Sequence, residues 1–238
     1  MSSPIRLLTF DLDDTLWHFA PTLLNAEKIT YAWLQQHTPA VTARFTLEQM
    51  RAMRLQLARD EPDLAHRITE LRIRSLRQLF TLAELDAEAI GPLADAAFEV
   101  FLHARHQVEL FEEAEATLAT LQRDFALVSV TNGNVDIARL GLDRYFAFGI
   151  NAERLPRAKP HPEPFLEALR LTGCEAAQCI HIGDDVENDV RGAQRLGIHT
   201  IWVNMAAENW PGETPPSAEI RHLRELPGAV YAIASGLR

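Results

Sequence analysis

Three aspartates, Asp11, Asp13 and Asp14, follow the apolar run Ile5–Phe10 almost without a break. Like charges this close are costly unless a cation or a chemical task offsets the repulsion. Three more, Asp184, Asp185 and Asp189, follow a second apolar run at Gln178–Ile182. Acidic residues at a helix N-terminus often only cap it, which accounts for one or two of these but not easily all three. A third run, Phe125–Val130, ends in Thr131 and Asn132 before Gly133. A hydroxyl, an amide and nearby backbone N–H groups suit a phosphate oxygen, although Asn-Gly alone is a common turn. Of the 23 basic residues only Lys28 and Lys159 are lysine, which marks positions where a compact ammonium matters. Lys28 sits in a helical pattern and reads as a surface residue. Lys159 lies on a loop, RAKPHPEPF, whose prolines stiffen the backbone.

The elements that must position these groups follow from periodicity. Ile5, Leu7, Leu8 and Phe10 read as a strand buried on both faces, as in a parallel sheet. From Val108 onward β and α segments alternate: a helix at Glu112–Arg123, a strand at Phe125–Val130, a short helix at Val135–Leu140 and an apolar run at Tyr145–Ile150. A helix at Pro164–Leu171, a strand at Gln178–Ile182, a helix at Val186–Leu196 and a strand at Ile198–Val203 complete the series. Repeated β–α units predict an α/β fold with a doubly wound parallel sheet, whose strand C-terminal ends are where ligands bind. Glu208–Ser217 is a Pro-rich loop, and the residues after it carry little pattern.

Between the first strand and Val108 the pattern is helical. Ala26, Ile29 and Trp33 mark one helix, Thr46–Gln49 resembles a capping box opening a second, and Leu64, Ile68, Leu71 and Leu79 mark a third with Arg67, Arg72, Arg74 and Arg77 solvated. A fourth starts near Gly91-Pro92 and carries Ala94, Ala97, Phe98 and Phe101. Four apolar-striped helices without a strand predict an inserted α-helical bundle. The expected division is a core of residues 1–16 and 107–238 and an insert of 17–106.

Composition bounds the partners. A formal net charge of -10 argues against a nucleic-acid partner. No apolar stretch is long enough to span a bilayer, and the N-terminus has no signal-peptide pattern, so no membrane partner and a cytoplasmic location are expected. Cys174 and Cys179 have no metal-type spacing and read as reduced, core or near-core residues. Oligomeric state leaves no mark on the sequence.

Taken in order, DLDDTL at Asp11–Leu16, Thr131, Lys159-Pro160 and GDDVEND at Gly183–Asp189 resemble the four motifs of the haloacid dehalogenase superfamily of phosphohydrolases. The resemblance runs from Ile5 to about Asn204, and the helical insert looks like the cap domain of one large branch. It implies a Rossmann-like catalytic core with Asp11 as the nucleophile that forms an aspartyl-phosphate. Asp13 would be general acid and then general base. Mg²⁺ would be held by Asp11, the backbone carbonyl of Asp13, and Asp184. Thr131, Asn132 and Lys159 would bind the substrate's phosphoryl oxygens beside Asp11 and Asp13. Asp185 and Asp189 would support them from behind, with Asp189 orienting Lys159 or a metal-bound water.

Asp13 separates reactions within the superfamily. The dehalogenases look similar but lack an acid there, because a halide needs no proton, and they need no metal. The resemblance therefore implies a Mg²⁺-dependent phosphomonoester hydrolase acting on a small phosphorylated metabolite. In length, insert position and motif wording the chain is similar to bacterial phosphatases of FMN and of the phosphorylated riboflavin precursor. A sugar-phosphate phosphatase, a dehalogenase-type hydrolase and a non-catalytic phospho-ligand-binding relative are the alternatives. Trp17-His18-Phe19 either fill the junction with the insert or stack on a planar leaving group.

Overall fold

Leu7–Phe10 forms strand β1, every residue of it buried, the tail of the run that begins at Ile5. The protein, as a computed structural model, is described over residues 4–236. It divides into a sheet unit, Met1–His18 with Glu109–Arg238, and a helical unit, Phe19–Val108. Trp17 and His18 thus belong with the sheet, where bridges tie Trp17 to Asp13 and to Leu110.

The helical unit contains α1 (Phe19–His37), the short α2 (Pro39–Arg44), α3 (Leu47–Asp60), α4 (Ile68–Leu82) and α5 (Ala87–Arg105). Its core joins Ala26, Leu34, Met50, Leu76, Leu79, Phe80, Phe98 and Phe101. The capping box is present: Thr46 Oγ1 accepts from Gln49 N at 3.2 Å, and Gln49 Oε1 accepts from Thr46 N at 2.8 Å. Three expectations are corrected. The last helix begins at Ala87, not at Gly91, because Asp86 caps Glu88 N, and Pro92 lies inside it. On α1, Ile29 is exposed, while Glu27 and Thr30 face inward with Ala26 and Leu34. On α4, Arg72 is not solvated; its guanidinium lies over the Phe101 ring, 3.4 Å from the centroid.

In the sheet unit α6 (Ala114–Leu121) leads to β2 (Ala126–Thr131), β3 (Phe148–Asn151), α7 (Glu163–Thr172) and β4 (Cys179–Gly183). A π-helical turn, Val186–Arg191, runs into α8 (Gly192–Gln194), followed by β5 (His199–Val203), β6 (Ala218–Ile220) and α9 (Leu226–Ala234). All strand pairs are parallel, in the order β3-β2-β1-β4-β5-β6. The fold is therefore the doubly wound α/β sheet with a helical insertion. The helix expected at Val135–Leu140 is replaced by turns: Asp136 accepts from Ala138 N at 2.9 Å, Leu142 N reaches Ile137 O at 2.8 Å, and Gly141 is left-handed. Such local bonds compete with helix formation. β6 and α9 lie where no pattern was visible, since three residues are too few to show a period.

Register fixes where the site lies. Phe10 is level with Ser129 on β2 and Ile182 on β4. The chain leaves β1 at the point where neighbouring strands lead to opposite sides of the sheet, the crevice of doubly wound folds.

Replacing Thr46 by Ala removes one half of the capping box. It should cost about 1 kcal/mol and lower the melting temperature by about 2–4 °C, read by circular dichroism.

Candidate active site

Asp11 N donates to Ile182 O at 2.8 Å, carrying the sheet ladder one residue past β1 and setting Asp11 at the strand end. A tight turn follows, closed by Leu16 N to Leu12 O at 2.8 Å and by Asp14 N to Trp17 O at 2.8 Å. Asp14 sits in the left-handed region at φ 57°, a strained conformation of the kind that clusters at functional sites. Asp13 is half-buried, and the indole N–H of Trp17 donates to its Oδ1 at 2.9 Å. Trp17 itself is fully buried. His18 is exposed and rests edge-on against Phe111.

β4 delivers the second acidic set. Asp184 accepts a hydrogen bond from Thr15 Oγ1 at 3.2 Å, and its carbonyl accepts from Trp202 Nε1 at 2.7 Å. Asp185 is exposed, and its carboxylate accepts from Glu187 N and Asn188 N at 2.9 and 2.7 Å, capping the helical turn that follows. Asp189 is buried and returns under the strand end, where its Oδ2 accepts from Asp185 N at 3.1 Å. Gly183 is required here: a Cβ on it would come within 2.4 Å of the Asp189 carboxylate.

Lys159 joins the two sets. Its buried Nζ donates to Asp11 Oδ1 at 2.7 Å and to Asp189 Oδ1 at 2.6 Å. The loop that carries it is clamped by Asn132, whose Nδ2 donates to Lys159 O and whose Oδ1 accepts from Lys159 N, both at 2.9 Å. Asn132 is thus engaged with the backbone of Lys159, and Thr131 Oγ1, at the end of β2, accepts from Gly133 N at 2.9 Å. His181 extends the chain of contacts into the sheet, with Nε2 3.1 Å from Asp189 Oδ1 and Nδ1 2.9 Å from Thr9 Oγ1. Burial holds the His181 pKa below its usual value. The ring is therefore neutral: Nε2–H donates to Asp189, and the Thr9 hydroxyl donates to Nδ1.

The electrostatics follow from this geometry. Burial opposes the charge on Lys159, but Asp11 and Asp189 outweigh it and hold the ammonium well above its ordinary range. Asp189, also disfavoured by burial, is held ionised by Lys159 and His181. Asp11 is pushed upward, first by burial and then by Asp189 and Asp184, against the pull of Lys159. Asp184 is raised to about 7 by burial, then by Asp189 and Asp14. Carboxylate oxygens of Asp11, Asp184 and Asp189 lie within 4.8 Å of one another, against one ammonium. Two positive charges are missing from that set, and its donors are all hard oxygens, so it fits a divalent cation such as Mg²⁺. Asp189 is already engaged on both oxygens, which leaves Asp11 and Asp184 to face such an ion.

Thr15 and His181 had no part in the expected site. Thr15 stood in the first motif as an ordinary turn residue, and His181 in a strand whose pairing partner was unknown.

The model of the haloacid dehalogenase-like hydrolases matches residues 5–197. The chain belongs to that hydrolase family. It is 32% identical to the 5-amino-6-(5-phospho-D-ribitylamino)uracil phosphatase YigB of Escherichia coli over 93% of this chain and 94% of that protein. A solved structure described as a 2-haloacid dehalogenase from Pseudomonas syringae is 43% identical, covers 95% of this chain and 98% of its own, and superposes with a TM-score of 0.90. The magnesium-bound HAD-hydrolase YfnB of Bacillus subtilis is 26% identical over 96% of this chain and 99% of its own, with a TM-score of 0.65.

Two outcomes are expected. Trp17→Ala should destabilise the protein by about 3–5 kcal/mol, as emptying a buried aromatic site does. Trp17→Phe, which keeps most of the volume and loses the N–H, should cost much less in chemical denaturation. A raised carboxyl pKa in the folded state favours folding at low pH and loses that advantage as the group ionises. The Asp184 contribution should thus be present below about pH 4 and disappear as pH rises through about 7. In EDTA, Asp184→Asn should melt above the wild type at pH 8 and level with it at pH 4.

Proposed function

We propose that this chain is a Mg²⁺-dependent phosphomonoester hydrolase that works through an aspartyl-phosphate on Asp11. The observation that carries the reading is the buried Lys159 ammonium fixed between Asp11 and Asp189, with the Asp184 carboxylate beside them. Lys159 aims the near oxygen of Asp11 and leaves its second oxygen for attack. That oxygen forms the bond to phosphorus as the ester P–O bond breaks, and Asp13 gives its proton to the departing alkoxide. Asp13, now a carboxylate held by Trp17, takes a proton from water as that water attacks phosphorus. The acyl–phosphate bond breaks, inorganic phosphate leaves, and Asp11 returns as a carboxylate. Lys159 and the Thr131 hydroxyl stabilise the phosphoryl oxygens through both steps. Asp11, Asp184 and the carbonyl of Asp13 would hold a divalent cation, which would supply charge neutralisation for the nucleophile and the anionic phosphate.

For the substrate we infer a small phosphorylated metabolite of the riboflavin pathway, the uracil precursor or FMN. Support comes from the likeness to YigB along nearly the whole chain. Both cysteines are free, and burial pushes the Cys179 thiol up to about 12. No helix among the described residues is long and apolar enough to cross a membrane. The 43% identity to a structure described as a 2-haloacid dehalogenase favours a second reading, halide release from a 2-haloacid. Asp13 and the acidic set around Asp11 weigh against it, since a halide leaves without a proton.

The test assays phosphate release from the uracil precursor, FMN and a sugar phosphate with Mg²⁺ or EDTA, beside chloride release from 2-chloropropionate. Phosphate release that requires Mg²⁺ is expected, fastest with the flavin-type substrates. Chloride release without phosphate release would overturn the reading. Asp11→Asn should abolish turnover while the protein remains folded by circular dichroism. Asp13→Asn should slow the single-turnover phosphorylation step by about 10²–10⁴ for an alkyl phosphate and much less for p-nitrophenyl phosphate. Equal losses on both would remove Asp13 from the acid role.

A further inference from the structure

The turn after β1 closes back on Asp13 through Trp17. The indole N–H of Trp17 donates to Asp13 Oδ1 at 2.9 Å, and a backbone bridge pairs the same two residues. Trp17 is itself fully buried and carries a second, antiparallel bridge to Leu110. Around it, Asp14 N donates to Trp17 O at 2.8 Å, Leu16 N to Leu12 O at 2.8 Å and Phe111 N to Leu16 O at 2.9 Å. Asp13, by contrast, is only half-buried. A donor fixed by its surroundings thus holds a carboxyl that is partly open to solvent.

The need to satisfy a buried indole explains only part of this. A buried N–H wants an acceptor, and a backbone carbonyl meets that want. Trp202, also buried, does so, donating to the carbonyl of Asp184 at 2.7 Å. Trp17 directs its donor instead to a side chain two residues past Asp11. The consequence is atomic. An indole nitrogen donates and never accepts, so Oδ1 of Asp13 is always the accepting oxygen. In the carboxylic acid the carbonyl oxygen is the better acceptor, which places the proton on Oδ2. The same bond opposes the rotation of the carboxyl that would exchange its two oxygens. Orientation of this kind matters most for a group that must hand a proton to one particular atom.

We propose that Trp17 is a positioning residue for proton transfer: its N–H holds Oδ1 of Asp13, so that Oδ2 gives the proton to the leaving oxygen and later takes one from water. The inference rests on the hydrolytic reading, which assigns those transfers to Asp13. In the first step the proton passes from Oδ2 to the alkoxide oxygen as the ester P–O bond breaks. In the second, Oδ2 accepts a proton from the water that attacks phosphorus. The Trp17 proton stays on nitrogen throughout.

The test is the single-turnover phosphorylation rate, with Mg²⁺, of the wild type, Trp17→Phe, Asp13→Asn and the double variant. Two substrates are compared: p-nitrophenyl phosphate, and whichever of the uracil precursor, FMN and the sugar phosphate turns over fastest. Trp17→Phe should slow the alkyl phosphate by about five- to tenfold, the effect of losing one hydrogen bond at the reacting group. It should slow p-nitrophenyl phosphate by less than about twofold, since a good leaving group needs little help from an acid. In the Asp13→Asn background the same substitution should change neither rate, because the group it positions no longer transfers a proton. A packing defect would slow both substrates alike and add to the effect of Asp13→Asn. Equal slowing on both substrates, no slowing on either, or additivity with Asp13→Asn overturns the proposal. The hydrolytic reading survives those results so long as Asp13→Asn alone discriminates between the substrates. Failure of Asp13→Asn to discriminate, or absence of phosphate release in the wild type, overturns both. Should Trp17→Phe prove unfolded by circular dichroism, 3-benzothienylalanine at position 17 takes its place in every comparison, with sulfur for the N–H at nearly the same volume.

Discussion

The sheet unit depends on one buried ammonium. Lys159 Nζ sits between Asp11 and Asp189 with 2% of its side chain exposed. Burying a lone ammonium or a lone carboxylate is prohibitive, and removing one member of a buried pair costs about 3–5 kcal/mol. The three groups therefore have to arrive together. β1 brings Asp11, the turn after β4 brings Asp189, and a loop clamped by Asn132 brings Lys159. The parallel register that sets Phe10 beside Ile182 and the missing Cβ at Gly183 serve the same constraint.

That balance is deliberately incomplete on the negative side. Burial first, and then the neighbouring carboxylates that one ammonium cannot offset, push the carboxyls of Asp11 and Asp184 toward their protonated forms. His181 and Thr9 anchor the far side of Asp189, so rearrangement falls on the groups facing the crevice. The helical unit carries the reverse imbalance, one buried carboxylate among three guanidinium groups. In both units burial magnifies a surplus of one sign, because low-dielectric surroundings screen it poorly.

Much of this was legible in the sequence. The apolar runs at Ile5–Phe10, Phe125–Val130 and Gln178–Ile182 read as strands of a parallel sheet, because residues buried on both faces carry no alternation. The side chains at their ends, Asp11, Thr131 and Asp184, were locatable for the same reason: a strand end is a fixed place in a doubly wound sheet. The rarity of lysine singled out Lys159. Boundaries and short elements were less legible. Asp86 moved the start of α5 ahead of Pro92, local bonds around Asp136 erased the helix at Val135–Leu140, and β6 was too short to show a period.

What the sequence by itself determined was the identity and order of the chemical groups, since strand periodicity and motif spacing are local properties of the chain. Which group touches which was decided only by the tertiary structure. Trp17 donating to Asp13, Asn132 engaged with the Lys159 backbone, Asp185 capping a helical turn and His181 bracing Asp189 all depend on side-chain direction at contacts that local pattern does not encode. The same holds for Arg72, which helical spacing places on a solvated face and which the neighbouring Phe101 and Glu27 draw into the interior. A charge is buried or exposed according to the partners that other segments bring to it.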